Sequence, residues 1–136
     1  MKKIILACGF AGLLLSCEAA TTAGNSQVGK AQASIANSKW ELSDVVKGKT
    51  PTLNIEDNRI TGNAGCNNYF GEVALNPESG TFKADKVGST RMACDNLSVE
   101  QNFLNAINST NRYVVSGNTL ELYKDNLLLL KLNRKP

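Results

Sequence analysis

Two cysteines are the residues of this sequence most able to do chemistry: Cys66, within GCNNY, and Cys94, at the end of TRMAC. Paired thiols can bind a metal, exchange electrons with other thiols, or form a disulfide. A zinc site usually needs four ligands in closely spaced Cys and His pairs. The chain has no histidine, and its other two cysteines are Cys8 and Cys17 near the N-terminus. We therefore expect neither a metal site nor a cofactor.

A structural disulfide is the interpretation that we favour for Cys66 and Cys94. A thioredoxin-type redox pair normally has the spacing CxxC, whereas these two cysteines lie far apart in the chain. In an oxidising exported compartment, the only two cysteines of a mature fold tend to pair. Closing a loop of about 28 residues would stabilise the fold by roughly 3–4 kcal/mol in the chain-entropy model. A redox role and two buried free thiols stay open as alternatives.

The first sixteen residues predict an export signal. Met1-Lys2-Lys3 is a basic start, and a continuous run of apolar and small residues follows from Ile4 to Leu15. This run is too short for a membrane-spanning helix but suits the apolar region of a secretory signal. It ends in Leu14-Leu15-Ser16-Cys17, which resembles a bacterial lipobox. The resemblance implies cleavage before Cys17 and lipidation of Cys17; an ordinary signal peptide cleaved slightly later is the alternative.

Residues 17–37 predict a lipid-anchored flexible tether. The segment is rich in Ala, Thr, Ser, Gly, Asn and Gln, and no large apolar residue recurs at a useful period. A chain of about 20 such residues reaches roughly 25 Å from end to end. Removal of Lys2 and Lys3 with the signal lowers the formal charge from +3 to +1. Because such a domain has no field to attract nucleic acid, we expect none as a partner.

The sequence contains no residues that predict an enzyme. Without histidine, a Ser-His or Cys-His pair cannot activate a nucleophile. A pair of carboxylates could still act as acid and base, but their spacing singles out no pair. The candidates are Glu41, Asp44, Glu56, Asp57, Glu72, Asp85 and Glu100. We predict that the protein has no catalytic residues.

Residues 38–136 predict one small, mainly β domain. Short alternating segments such as Thr52–Ile55 are separated by turn signals, including Asn76–Gly80, Gly117-Asn118 and Asp125-Asn126. About seven or eight strands in so short a domain must curl to bury one face, which predicts a partly closed, or cracked, antiparallel barrel. The last three strands should form a meander. Its Leu127–Leu130 run is apolar on both faces, so it either packs between barrel and helix or forms an exposed patch.

One helix is predicted before that meander. Ser98 and Gln101 have the spacing of a capping box, with Ser98 as the N-cap. An apolar stripe at helical spacing follows, formed by Val99, Phe103, Leu104, Ala106 and Ile107. The pattern predicts a helix of about eleven residues that ends between Asn108 and Asn111 and packs against the sheet.

Five motifs, taken in their order and spacing, carry a resemblance to a known family. They are WEL at 40–42, ITGNAGCNNYFG at 60–71, STRMAC at 89–94, E..FL at 100–104 and GNTLEL at 117–122. In these residues the chain, from Trp40 to about Leu132, resembles the META domain of the HslJ-like family of small bacterial envelope proteins. The resemblance implies a cracked β-barrel packed on one helix.

The same resemblance implies a link to heat-shock and antibiotic-stress responses in some members, with no established catalytic activity. It supplies no catalytic residue, and we interpret its motif positions as residues that specify the fold. These positions are Trp40, Gly65, Asn67, Tyr69, Thr90 and Met92.

Together these features predict a monomeric, non-enzymatic envelope protein, lipid-anchored on the outer membrane and facing the periplasm. It would serve as an accessory or binding module in stress tolerance, and an unidentified envelope protein is a candidate partner. The alternative is a carrier that holds a lipid or small apolar ligand inside the barrel. An apolar cavity in the barrel would favour the carrier, and a packed interior with an apolar external groove would favour a protein partner.

Overall fold

The structure, a computed structural model, describes residues 26–136 and contains eight strands and one helix in that range. The predicted signal peptide, the lipobox and Cys17 lie outside the described residues. The elements are β1 (Ser38–Leu42), β2 (Thr52–Ile55), β3 (Arg59–Asn63), β4 (Asn68–Asn76), β5 (Thr81–Ser89), α1 (Leu97–Ser109), β6 (Arg112–Ser116), β7 (Thr119–Lys124) and β8 (Leu127–Arg134). The predicted mainly β fold with one helix before a three-strand meander is confirmed.

The eight strands form a closed antiparallel barrel in which each strand pairs with its neighbour in sequence. The ring closes between β1 and β8, where Glu41 lies opposite Asn133. The pairing of β5 with β6 is the narrowest, with Thr81 opposite Arg112 as its one register pair. Helix α1 connects these two strands and packs against β5 and β8. The helix therefore sits beside the part of the ring that has least strand pairing.

Tight turns set the register of the meander. Gly117-Asn118 joins β6 to β7, and Asp125-Asn126 joins β7 to β8, as predicted. Gly117 has φ +56° and Asp125 has φ +53°, the left-handed conformation that favours Gly, Asn and Asp in two-residue hairpin turns. These residue types therefore fix where each hairpin reverses.

The barrel interior is filled by large side chains. Alternation along the strands points one face inward, and the inward residues form a continuous core. Its largest fully buried members are Trp40, Tyr69, Tyr113, Phe82, Ile35, Leu53, Ile55, Ile60, Ile107, Leu120, Leu122 and Leu132. Since these aromatic and branched side chains occupy the centre, the barrel is a packed core.

The Leu127–Leu130 run divides between the two predicted environments. Leu130 is buried, and Leu129 is partly buried against the core. Leu127 and Leu128 are 65% and 46% exposed. A register shift between Leu122 and Tyr123 of β7, which places Leu130 and then Leu128 opposite them, accommodates the change.

Helix α1 confirms the predicted apolar stripe but begins differently. It runs for 13 residues, and Phe103 and Ile107 are buried on its inner side. The prediction of Ser98 as N-cap is wrong, because Asn96 precedes the helix and Ser98 is exposed within it. The Asn96 side chain makes no capping bond and instead donates to the carbonyl oxygens of Gly65 and Lys47, at 2.9 and 3.2 Å. A tertiary contact thus replaces the local cap.

The folded domain begins before Ser38, so the predicted end of the tether at residue 37 is corrected to an earlier position. Ile35 is only 1% exposed and belongs to the core. The Gln32 backbone N–H donates to the Pro77 carbonyl oxygen at 2.7 Å, and its side-chain oxygen accepts from the Val115 N–H at 3.0 Å. The single large apolar residue Ile35 lacks the periodicity that reveals a strand or helix, and for that reason the composition of this segment resembled a tether.

Within residues 26–136, no helix combines the length and the apolar character that a membrane crossing requires.

We predict that Ile35→Ala lowers the free energy of unfolding by about 2–5 kcal/mol, because it opens a cavity in a packed core. Urea denaturation followed by circular dichroism measures this loss. Val45→Ala is the matched control, since Val45 is fully exposed and its truncation should change stability by less than about 0.5 kcal/mol. Equal effects of the two substitutions would show that residues 26–37 do not contribute to the fold.

Candidate functional site

A tight loop between β3 and β4 begins the site. The Ala64 N–H donates to the Asn67 carbonyl oxygen, and the Gly65 N–H donates to Asn63 Oδ1, both at 2.9 Å. Gly65 has φ +110°, and a Cβ at this position would lie 3.0 Å from Val99 Cγ1 on helix α1. The motif therefore needs glycine both for its backbone conformation and for close approach of the helix.

A disulfide joins this loop to the segment between β5 and α1. Cys66 and Cys94 are bonded, with their Cα atoms 6.1 Å apart, within the usual range for a disulfide. The favoured interpretation of the two cysteines is confirmed, and neither is a free thiol. The bond holds residues 90–96, most of which are exposed, against the β3–β4 loop.

The Asn67 side chain is the polar centre of the site. It is 3% exposed and uses both ends of its amide. Its Nδ2 donates to the Met92 carbonyl oxygen at 3.2 Å and to Glu100 Oε2 at 3.0 Å. Its Oδ1 accepts from the Met92 N–H at 2.6 Å and from Thr90 Oγ1 at 3.0 Å. One side chain thus links the β3–β4 loop, the segment after β5 and the first turn of α1.

Glu100 is a buried carboxylate with one oxygen unsatisfied. The residue is 6% exposed, and its Oε2 accepts the bond from Asn67. Its Oε1 is buried and has no hydrogen-bond partner among the residues that the structure describes. Buried polar atoms nearly always have hydrogen-bond partners, so a buried carboxylate oxygen without one makes this a candidate binding site.

An open groove of about 440 Å³ lies against this carboxylate. Its lining residues come from the loop that holds Asn67, the segment after β5, and α1: Asn67, Ser89, Thr90, Arg91, Met92, Ala93, Leu97, Glu100, Gln101 and Leu104. Met92 and Leu97 are 57% and 39% exposed, so two large apolar side chains of the groove are open to solvent. The groove therefore combines apolar walls with a buried acceptor.

The structure separates the predicted motif residues into two groups. Asn67, Thr90 and Met92 meet at the groove, with Gly65 in the adjoining loop. Tyr69 lies in the core, where its hydroxyl donates to the Thr52 carbonyl oxygen at 2.6 Å and burial raises its pKa. Trp40 is also in the core; its Nε1 donates to Ser38 Oγ at 2.7 Å, and the Arg134 guanidinium lies 4.3 Å from its ring centre.

The spacing of the seven candidate carboxylates in the sequence did not distinguish Glu100 from the others. In the structure Glu72 pairs with Lys86 at 3.2 Å and Glu41 with Lys135 at 3.7 Å. Glu100 alone of the seven is buried. The sequence did contain one indication: residues 100, 103 and 107 share one side of the helix, so an acidic residue occupies a position that faces the core. Within the described range, no three His, Cys, Asp or Glu side chains are arranged to hold a metal ion.

The chain belongs to a family of small barrel proteins with this inserted helix. The sequence profile of the META domain matches residues 33–135, which is most of the chain and all nine elements of the fold. This protein is therefore a member of the META domain family. The match begins two residues before Ile35, in agreement with the early start of the folded domain.

Two solved structures share this fold. An NMR structure of a protein from Burkholderia xenovorans aligns with a TM-score of 0.62 and 26% identity, covering 74% of this chain and 83% of the other. A second NMR structure aligns with a TM-score of 0.57 and 20% identity, covering 71% and 88% of the two chains, and supports the fold alone. None of the curated proteins matches this sequence.

We predict that replacing both Cys66 and Cys94 with alanine lowers the free energy of unfolding by about 3–4 kcal/mol, because the open chain gains entropy. Urea denaturation with and without reductant measures the change; reductant should destabilise the wild type by a similar amount and leave the double variant unaffected. Alkylation and mass measurement of the non-reduced protein should modify neither cysteine, and two reactive thiols would contradict the disulfide.

We predict that Asn67→Ala lowers the free energy of unfolding by at least about 3 kcal/mol, since it removes the donor to Glu100 and the acceptor for Met92. Asn102→Ala is the control, because Asn102 is exposed on helix α1 and alanine favours the helical conformation. Chemical denaturation of both variants measures the difference. An Asn67 variant as stable as the Asn102 variant would show that the amide network does not support the fold.

Proposed function

We propose that this META domain protein is a non-enzymatic, lipid-anchored binding module of the bacterial cell envelope, with an accessory role in tolerance to heat or antibiotic stress. The observation that carries the proposal is the contrast between a filled barrel and an open, partly apolar groove on its outside. Because the interior is filled, a binding partner would have to contact the outer surface of the barrel.

The barrel interior gives little support to the carrier hypothesis. Trp40, Phe82 and Tyr113 are each completely buried and occupy the space that a lipid or apolar ligand would need. A carrier of such ligands requires a cavity of several hundred Å³ inside the fold. The external groove instead exposes Met92 and Leu97, and methionine adapts its shape to different partners.

A role without catalysis is supported by the chemistry of the side chains. The sequence has no histidine to act as a general base, and the two cysteines of the fold are joined as a disulfide, which removes both thiols as nucleophiles. Among residues 26–136, the hydrogen-bond partner of the Glu100 carboxylate is the neutral Asn67 amide and not a second carboxyl group.

The anchor is supported by the sequence alone. The lipobox-like Leu14-Leu15-Ser16-Cys17 implies acylation of Cys17, and several acyl chains hold a protein stably on a membrane. With the domain folded from before Ile35, the connection to Cys17 is shorter than the sequence pattern predicted. We propose attachment to the outer membrane, facing the periplasm, as a monomer.

The test is a complementation experiment in the source bacterium with its own gene deleted. The wild-type gene should restore growth at raised temperature or under antibiotic, and feeding an alkyne-labelled fatty acid should label the protein. Cys17→Ser should lose both the label and the rescue. Leu97→Ser, which removes an apolar wall of the groove, should keep the label and lose the rescue.

Leu127→Ser is the matched control, since Leu127 is an exposed leucine on β8 that does not line the groove. It should keep both the label and the rescue. Two results contradict the proposal: an unlabelled, freely soluble protein that still rescues growth, or full rescue by the Leu97 variant at wild-type protein levels.

A further inference from the structure

Glu100 is an acidic side chain that has no cationic partner in the described part of the fold. Two ion pairs occur among residues 26–136, and they use Glu72 and Glu41. The only hydrogen bond to the Glu100 carboxylate comes from the neutral amide of Asn67, and it reaches Oε2. Removing a carboxylate from water is unfavourable unless it is paired, so a ligand that places a positive charge beside this carboxylate would gain from the site.

The groove determines what else that ligand must contain. Met92, Leu97 and Leu104 provide apolar walls beside Glu100. An aliphatic chain gains free energy by covering such side chains, and a charged nitrogen at its end would make a strong, charge-assisted hydrogen bond to the carboxylate. The two requirements together describe a primary ammonium group at the end of a flexible alkyl chain.

We propose that the groove binds the lysine side chain of a protein partner, with its alkyl chain along Met92 and Leu97 and its ammonium at the Glu100 carboxylate. This inference rests on the proposed function and names the chemistry of the partner. We favour a lysine over a free amine because the groove is open to the surface, so that a side chain can enter while its backbone stays outside.

Arg91 is the competing cation. It is exposed on the segment after β5 and is the one cationic side chain among the described residues that line the groove. If Arg91 folds onto Glu100 in solution, it occupies the place of the lysine. The variant Arg91→Ala separates these two possibilities, since it removes the competitor and leaves the carboxylate intact.

Met92 is a probe built into the site. The chain contains two methionines, Met1 and Met92, so selective ¹³C-methyl labelling gives a signal from the groove itself. The full chain, isolated from the envelope and held in phospholipid nanodiscs, is titrated with Nα-acetyl-lysine methylamide. The matched probe is Nα-acetyl-norleucine methylamide, which has the same alkyl chain without the ammonium.

We expect the lysine probe to shift the Met92 methyl signal saturably, with half-saturation at a concentration at least about tenfold below that of the norleucine probe. Glu100→Gln should reduce this preference to less than about threefold, because the amide keeps the shape and removes the charge. Glu72→Gln, at an exposed carboxylate, should keep the wild-type preference. Arg91→Ala should keep or increase it.

Equal binding of the two probes overturns the proposal, as does a lysine preference that survives in a folded Glu100→Gln variant. Binding that appears only in Arg91→Ala overturns it as well, because Arg91 is then the natural partner of Glu100. If n-hexylammonium binds about tenfold more tightly than the lysine probe, the occupant is a free amine and the protein partner is excluded.

Should Glu100→Gln not fold, Leu97→Ser gives an independent test. This substitution should weaken the binding of both probes by a similar factor of about threefold or more, since it removes apolar contact and leaves the carboxylate intact. Unchanged binding would contradict the groove as the site. Fatty-acid labelling and growth rescue test the proposed function independently of these titrations. If Leu97→Ser loses the rescue while the wild type binds the lysine and norleucine probes equally, the proposed function is retained and the lysine is rejected.

Discussion

The amide of Asn67 is the constraint on which the arrangement of the site depends. It bonds at once to the backbone of Met92, to the Thr90 hydroxyl and to the Glu100 carboxylate. These partners belong to an exposed connection and to the first turn of α1. The hydrophobic effect is not directional and cannot fix their positions, whereas a buried amide with defined donors and acceptors can. The Cys66–Cys94 disulfide then limits how far the connection can move if these bonds open.

The packed barrel explains why the groove lies on the outside of the fold. Eight short strands close a ring whose centre is filled by aromatic and branched side chains, so the interior has room for its own core. The short pairing between β5 and β6 is where α1 is inserted, and the helix uses Phe103 and Ile107 to complete the core at that point. Its neighbouring side, with Leu97 and Leu104, is left to form one wall of the groove. Closure of the barrel and exposure of the groove are therefore two results of one insertion.

Glu100 lies on the boundary between these two roles. On the side of the core, its position three residues before Phe103 gives it the burial of an apolar residue. On the side of the groove, it retains an oxygen that the described part of the fold does not satisfy. A methionine or leucine at this position would suit packing better, because buried charges seldom stabilise a fold. Natural proteins keep such unfavourable groups mainly where binding or chemistry uses them, and this is the physical reason for the proposal that Glu100 takes part in recognition.

The sequence alone determined what depends on local pattern and on chemical composition. Alternation, turn residues and a helical stripe were enough to predict a mainly β barrel, the single helix and the final meander. The two cysteines expected to remain in the mature fold, Cys66 and Cys94, indicated the disulfide. Tertiary structure decided what depends on distant contacts. Ile35 joins a core that also contains Tyr113, and the Tyr113 hydroxyl donates to the Ala33 carbonyl oxygen, 80 residues earlier in the chain. Asn96 gives up a local cap for the carbonyl oxygen of Gly65. The unsatisfied oxygen of Glu100 is visible only when loop, disulfide and helix are assembled, because burial is a property of the surroundings and not of the residue.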